Sequence, residues 1–214
     1  MGSTARFYIY IAILIFAFVS SLVRFGKLDT AFKYLSVLLG LTLSEEIIAH
    51  ILARTYGNNM IVFHIYSPLL LILTSAYYHH ANPVIRKYKI AFAVAVVGTM
   101  AAIGNTIYLQ PLHVFNTNYL LFVGFCVIAM ALMTFYHFYV DSSHVSLLKH
   151  PDFRVSLVLL FYWSSTFISF AFHEVLEDAA FHLVYLFIWA VNLITYAALG
   201  LIFSLYSNTH RHAR

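Results

Sequence analysis

Seven long apolar runs constrain this chain more than any other feature of its sequence. A helix needs about 20 apolar residues to cross a bilayer, and each run approaches or exceeds that length. The strands of a membrane barrel would alternate polar and apolar residues over about ten positions, whereas these runs are continuous. We therefore predict an all-α integral membrane bundle of seven transmembrane helices, with residues 1–214 forming a single transmembrane domain. The runs are Phe7–Val23, Tyr34–Leu52, Met60–Tyr77, Ile90–Leu109, Tyr119–Val140, Val155–Leu176 and Ala180–Tyr206.

The composition excludes a water-soluble protein. Hydrophobic residues make up 62% of the chain and charged residues only 9%, whereas soluble domains carry about 25% charged residues. Most of the surface must therefore face lipid. A net charge of +4 would suggest nucleic acid in a soluble protein. Here we attribute it to basic loops on one side of a membrane, and we expect no nucleic-acid partner.

The distribution of Lys and Arg predicts the orientation. If the N-terminus is outside, ten basic residues fall on the cytoplasmic side and two, Arg6 and Arg54, fall outside. The opposite orientation would invert the positive-inside rule. We predict a multi-pass protein of the cell membrane, the inner membrane of a bacterium, with its C-terminus in the cytoplasm. The ten cytoplasmic residues are Arg24, Lys27, Lys33, Arg86, Lys87, Lys89, Lys149, Arg154, Arg211 and Arg214.

Ionisable residues within the second run indicate a site. Such residues are costly in a bilayer and usually have a function. Glu45 and Glu46 fall near the middle of this run, and His50 follows one turn further out. Glu46, His50 and Arg54 are spaced four apart and share one helix face. They either pair with one another in a purely structural ladder or belong to a larger polar site.

Other runs place polar residues at similar depths. His64 lies near the level of His50, and the sixth and seventh runs each carry a polar stripe. We expect a cavity that opens to the outside and is lined mainly by the second, third, sixth and seventh runs. The predicted ligand-binding residues are Glu46, His50, His64, Asn105, Ser169, His173, Glu174, Trp189 and Asn192.

Such a cavity suits a receptor or sensor in which a small ligand, a proton or a metal biases two packings of the bundle. Histidine titrates near neutral pH, so a His/Glu site can respond to acidity. No complete catalytic motif occurs, which favours this reading over an enzyme. The signal would leave through a partner protein such as a sensor kinase, and a homo-oligomer is compatible with it.

Two alternatives remain open. The first is a zinc-dependent hydrolase acting on a lipid amide or ester, with His50, His64, His173 and Glu46 as candidate ligands and Glu45 or Glu46 as the catalytic base. No H-E-x-x-H motif supports it. The second is a b-type haem or quinone protein. It would use His64 together with His79 or His80, near opposite ends of the third run.

Three resemblances bear on these alternatives. The layout resembles that of rhodopsins, but the seventh run lacks a lysine for a retinal Schiff base, which disfavours retinal. Ser44 and His50 are similar to zinc-site positions of ceramidases and progestin/adiponectin-receptor hydrolases, although the seventh run has only His182 and no H-x-x-x-H. The segment Phe63–Pro68 resembles small uncharacterised bacterial seven-helix membrane proteins. Some of those accompany sensor histidine kinases, which implies a signalling partner.

Overall fold

The chain folds into a bundle of long helices. The computed structural model describes residues 3–141, 147–171 and 178–206, and in these ranges it contains helices and no strand. Seven described helices are long and apolar enough to cross a membrane, which confirms the predicted all-α bundle with seven spans. The orientation remains a prediction. The helices are α1 Ser3–Arg24, α2 Thr30–Tyr56, α3 Met60–Ala81, the short α4 Pro83–Lys87, α5 Ile90–Gly104, α6 Thr117–Asp141, α7 Pro151–Ala171 and α8 Asp178–Ser204.

Helix α2, which carries both carboxylates, has clear end signals. Asp29 caps its start, because one carboxylate oxygen accepts a hydrogen bond of 3.0 Å from the Phe32 N–H. The helix ends at Gly57, which adopts a left-handed conformation with φ of 71°. Glycine adopts this conformation without a Cβ clash. The end signals therefore fix where α2 enters and leaves the bundle.

Asn82, between α3 and α4, connects these two helices to α6. Its side-chain oxygen caps α4 by accepting from the Val84 and Ile85 N–H groups, at 2.8 and 3.2 Å. Its amide donates to the Thr134 hydroxyl of α6, at 3.1 Å. Asn82 is fully buried, so these hydrogen bonds supply the partners that lipid cannot.

The helices form a ring that the first and last spans close. Helix α1 packs against α2 and α8, α2 against α3, α3 against α6, α6 against α7, and α7 against α8. Helix α5 packs on the outside of α3 and extends into a π-helical turn, Asn105–Leu109. Only 17% of the α5 span is buried, against 50% for α6. Most of α5 therefore faces lipid.

The contact between α1 and α8 depends on a small residue. A Cβ atom added at Gly200 would collide with the Phe16 ring and approach the Ala17 Cα to 3.2 Å. Small residues of this kind let helix backbones approach closely in membranes. The ring closes because Gly200 leaves room for Phe16.

The bundle has two ends, which we call the N-terminal face, where the first described residue lies, and the C-terminal face, where the last described residue lies. The Trp189 indole donates to the Arg6 carbonyl at the N-terminal face, at 3.1 Å. The Ser204 and Ser20 hydroxyls meet near the C-terminal face, at 3.1 Å. These pairs show that α1 and α8 are antiparallel. Eight of the ten predicted cytoplasmic basic residues lie at the C-terminal face, and the other two, Arg211 and Arg214, lie outside the described residues.

Candidate functional site

Two adjacent carboxyl groups lie inside the bundle at the middle of α2. The Glu45 side chain is only 5% exposed, and its Oε1 has no hydrogen-bond partner among the described residues. Glu46 Oε1 accepts a hydrogen bond of 2.7 Å from the Tyr10 hydroxyl of α1. Neither carboxyl group forms an ion pair with a described residue. A buried carboxylate without a compensating partner is costly, so this pair requires explanation.

Tyrosines from four helices lie near the two carboxyl groups. Tyr66 of α3, Tyr162 of α7 and Tyr196 of α8 are within electrostatic range of Glu45, and no hydrogen bond joins them to it in the described residues. The Tyr10 and Tyr196 rings are in contact, with centroids 5.8 Å apart. We call this group the carboxylate–tyrosine cluster. It consists of Glu45, Glu46, Tyr10, Tyr66, Tyr162 and Tyr196.

The helical repeat of α2 directs the two glutamates to different neighbours. Consecutive residues of an α-helix are rotated by roughly 100°. Glu45 therefore continues the buried stripe of Leu39 and Thr42 toward the interior. Glu46 instead reaches Tyr10 of the neighbouring helix α1. The Glu46 carboxyl group thus bonds to α1, whereas Glu45 Oε1 has no partner among the described residues.

A cavity of about 50 Å³ lies next to the cluster, between α2, α3, α7 and α8. These are the helices of the second, third, sixth and seventh apolar runs. The cavity extends from the middle of the bundle toward the C-terminal face, and not through the N-terminal half where the sequence places the polar residues. Six leucines and Phe203 form its apolar wall. Its remaining lining residues are Thr42, Tyr66, Thr74, Tyr162, Trp163, Thr195 and Tyr196.

The hydroxyl groups that line the cavity form an incomplete hydrogen-bond pattern. The Thr42 hydroxyl donates to the Leu38 carbonyl at 2.9 Å and lies 2.8 Å from the Tyr66 hydroxyl. Because threonine has one hydroxyl proton, Tyr66 is the donor to Thr42. The Tyr66 oxygen can then accept a further hydrogen bond. Thr195 is 3% exposed, and its buried hydroxyl has no partner in the described part of the chain.

The size of the cavity limits what it can hold. A buried water needs roughly 10–15 Å³ of such space and two to four polar partners. A cavity of about 50 Å³ therefore has room for a few waters or for an organic molecule of a few heavy atoms. The free oxygens of Thr195 and Tyr66 supply polar partners inside it.

The two described histidines of the predicted site make separate contacts. His50 stacks on Phe7 of α1, with ring centroids 4.2 Å apart and an angle of 12° between the planes. His64 Nε2 lies 2.9 Å from the Val114 carbonyl and Nδ1 lies 2.9 Å from the Thr106 hydroxyl. In its neutral form, His64 donates through Nε2 and accepts through Nδ1. The structure does not bring His50 and His64 together.

The other predicted site residues are dispersed. Asn105 is buried at the start of the π-helical turn and donates to the Gln110 side chain at 3.4 Å. Ser169 is buried on α7. The indole of Trp189 is used at the N-terminal face, as described above, and Asn192 is half-buried on α8. His173 and Glu174 lie outside the described residues.

The described residues do not fit a zinc or haem site. Among residues 3–141, 147–171 and 178–206, no group of three His, Cys, Asp or Glu side chains is placed to hold a metal ion. Both ring nitrogens of His64 already have partners. His80 stacks on Tyr34, with centroids 5.5 Å apart, and contacts His79 edge to face.

The sequence interpretation missed most of the tyrosines in the cluster. The chain has 16 tyrosines, and Tyr10, Tyr66 and Tyr162 stand in apolar runs where aromatic residues usually pack. Tyr196 shares a predicted polar stripe with Asn192. A tyrosine at the depth of Glu45 in the first, third, sixth and seventh runs is the signal that would have found them.

Comparison with known proteins gives no relative. No family model, curated protein or solved structure matches the chain.

Proposed function

We propose that this protein is a membrane receptor or sensor that binds a small ligand in the cavity between α2, α3, α7 and α8. The observation that carries the proposal is the incomplete bonding beside this cavity. The Thr195 hydroxyl, which lines it, and the Glu45 carboxyl group, one helical turn beyond the lining residue Thr42, each have an unpartnered oxygen in the described residues.

Unpartnered polar atoms of this kind are unusual inside a protein. Most buried polar atoms have a hydrogen-bond partner, and leaving one without a partner costs about 1–3 kcal/mol. A ligand that satisfies Thr195 and the cluster recovers part of this cost. The space beside these atoms is large enough for such a ligand.

The position of the cavity explains how a ligand would affect the whole bundle. Four helices line it, and the hydrogen bond between Glu46 and Tyr10 connects its surroundings to α1. A ligand shifts an equilibrium between two packings by its difference in affinity for them. In the predicted orientation, the basic C-terminal face is cytoplasmic, where a partner protein such as a sensor kinase reads the change.

The experiment compares the purified full-length protein with a cavity-filling variant. Thr195→Leu removes the unpartnered hydroxyl and occupies part of the cavity. A library of cationic, neutral and anionic organic molecules of a few heavy atoms is tested by thermal melting. We expect some molecules to raise the melting temperature of the wild type but not that of Thr195→Leu.

Thr99→Leu is the matched control, since Thr99 lies on the peripheral helix α5 away from the cavity. It should respond to the library as the wild type does. If no molecule distinguishes the wild type from Thr195→Leu, the cavity is not a ligand site and the proposal is wrong.

A further inference from the structure

We propose that the ligand is a small organic amine, bound as its ammonium ion with a short apolar tail in the cavity. This inference rests on the proposed function and names the chemical class that the site takes. It depends on the aromatic rings and the hydrogen-bond acceptors that line the cavity, and on the charge of Glu45, which lies one helical turn beyond the lining residue Thr42.

The charge near the cavity favours a cation. The lining of the cavity contains no charged residue. Glu45 lies one helical turn beyond the lining residue Thr42 on the buried face of α2, Glu46 faces α1, and neither pairs with a cation among the described residues. A cationic ligand provides the charge that the pair lacks, and buried charges in proteins are normally compensated in this way. An anionic ligand would be repelled.

The aromatic side chains that line the cavity also favour a cation. Tyr66, Tyr162, Tyr196 and Trp163 line the cavity from three helices. The faces of such rings attract a cation within about 6 Å of the ring centre, and the attraction increases when the cation is removed from water. Tyr66 also bonds to Thr42, one helical turn from Glu45. The rings and the Glu45 carboxyl group therefore favour a positive charge at the same end of the cavity.

The directions of the hydrogen bonds leave acceptor oxygens for a ligand. The Tyr66 hydroxyl donates its proton to Thr42, so its oxygen is left as an acceptor toward a ligand. The Thr195 oxygen has no partner, and Glu45 Oε1 accepts from no described residue. An ammonium group has only donors to offer. It therefore matches a site where acceptors remain unused.

The apolar part of the cavity determines the remainder of the ligand. Leucines of all four helices form the part of the cavity that extends away from the cluster, including Leu35, Leu70, Leu159 and Leu199. An alkyl tail is favourable there because it leaves water for an apolar surface. The volume of about 50 Å³ limits this tail to a few carbon atoms.

The test uses three probes of similar shape and different charge: n-butylamine, 1-butanol and butyrate. Each is titrated at neutral pH into the full-length protein in lipid nanodiscs, and the melting temperature is measured. We expect n-butylamine to bind about tenfold more tightly than 1-butanol, and butyrate not to bind. In Glu45→Gln the affinity for n-butylamine should fall about tenfold, while the affinity for 1-butanol should not change.

His50→Phe is the control on the same helix, because His50 stacks on Phe7 and does not line the cavity. It should bind n-butylamine as the wild type does. Retained binding of 1-butanol shows that Glu45→Gln is folded. If 1-butanol binds as tightly as n-butylamine and Glu45→Gln changes neither affinity, the inference of an amine ligand is wrong, but the proposal of a ligand cavity is not contradicted. If no probe distinguishes the wild type from Thr195→Leu, the inference fails together with the proposed function.

Discussion

Helix α2 contains two carboxylate–tyrosine contacts of the same length in different settings. At its start, Asp29 Oδ2 accepts from the Tyr206 hydroxyl at 2.7 Å. Near its middle, Glu46 Oε1 accepts from the Tyr10 hydroxyl, also at 2.7 Å. The other Asp29 oxygen caps the helix, whereas Glu45, beside Glu46, leaves an oxygen without a partner in the described part of the chain.

The difference follows from the position in the helix. At a helix start, free N–H groups and the helix dipole stabilise a carboxylate. In the middle of a helix every N–H is already used, so a carboxylate depends on side chains or on a bound molecule. We therefore expect Asp29 to stabilise the fold and Glu45 to lower its stability, as the proposed binding role of Glu45 requires.

The largest effect should come from the contact at the start of α2. Asp29→Ala removes the cap of α2 and the acceptor of the Tyr206 hydroxyl. A lost cap costs about 1 kcal/mol and a lost hydrogen bond to a charged group about 1.5–3 kcal/mol. We expect a loss of about 3 kcal/mol in the free energy of unfolding, measured by denaturant titration in micelles. A loss below about 1 kcal/mol would show that Asp29 is not the structural member of this comparison.

The next effect compares the two tyrosines directly. Tyr10→Phe should cost about 2 kcal/mol, because it leaves Glu46 without this hydrogen bond at a depth that water does not reach. Tyr206→Phe should cost about 1 kcal/mol, because Asp29 keeps its bond to Phe32 and lies near the bundle end. The two unfolding curves are measured side by side. Equal losses would remove the difference between the two ends of α2.

A smaller effect of opposite sign is expected at Glu45. Glu45→Met replaces a buried carboxyl group with an apolar side chain of similar volume. Such replacements are often neutral or stabilising, and here an oxygen without a partner is removed. We expect a gain of about 1 kcal/mol in the unliganded protein, together with loss of n-butylamine binding. A clear destabilisation would mean that Glu45 is a structural residue.

The smallest effect should occur at His50. In His50→Phe an aromatic ring still stacks on Phe7, so the free energy of unfolding should change by less than about 0.5 kcal/mol. The same unfolding measurement checks this. A large loss would show that the imidazole has a polar role, as the predicted His/Glu site requires.

The seven spans could be predicted because they depend only on length and hydrophobicity. A run such as Met60–Tyr77 leaves the chain little choice in lipid, where the backbone must satisfy its own hydrogen bonds. The ends of the helices were harder to predict from the sequence. The π-helical turn at Asn105–Leu109 has no signal in an apolar run, and Asp29 could be identified as a cap only once the start of α2 was known.

The depth of Glu45 and Glu46 could be predicted from position in the run, but their partners could not. Depth follows from the rise per residue, whereas a partner depends on which way each helix is turned about its axis. Glu46 and His50 share one helix face, and both contact α1, through Tyr10 and Phe7. The sequence gives no sign that this face meets α1 and not α3.

The closure of the ring by α1 and α8 also has a consequence for biosynthesis. Thr195, Tyr196, Leu199 and Phe203 all belong to the last span. If the spans insert in chain order, a bundle of the first six has an open side, where lipid tails contact the lining residues of α2, α3 and α7. The cavity is therefore complete only after the last span has inserted.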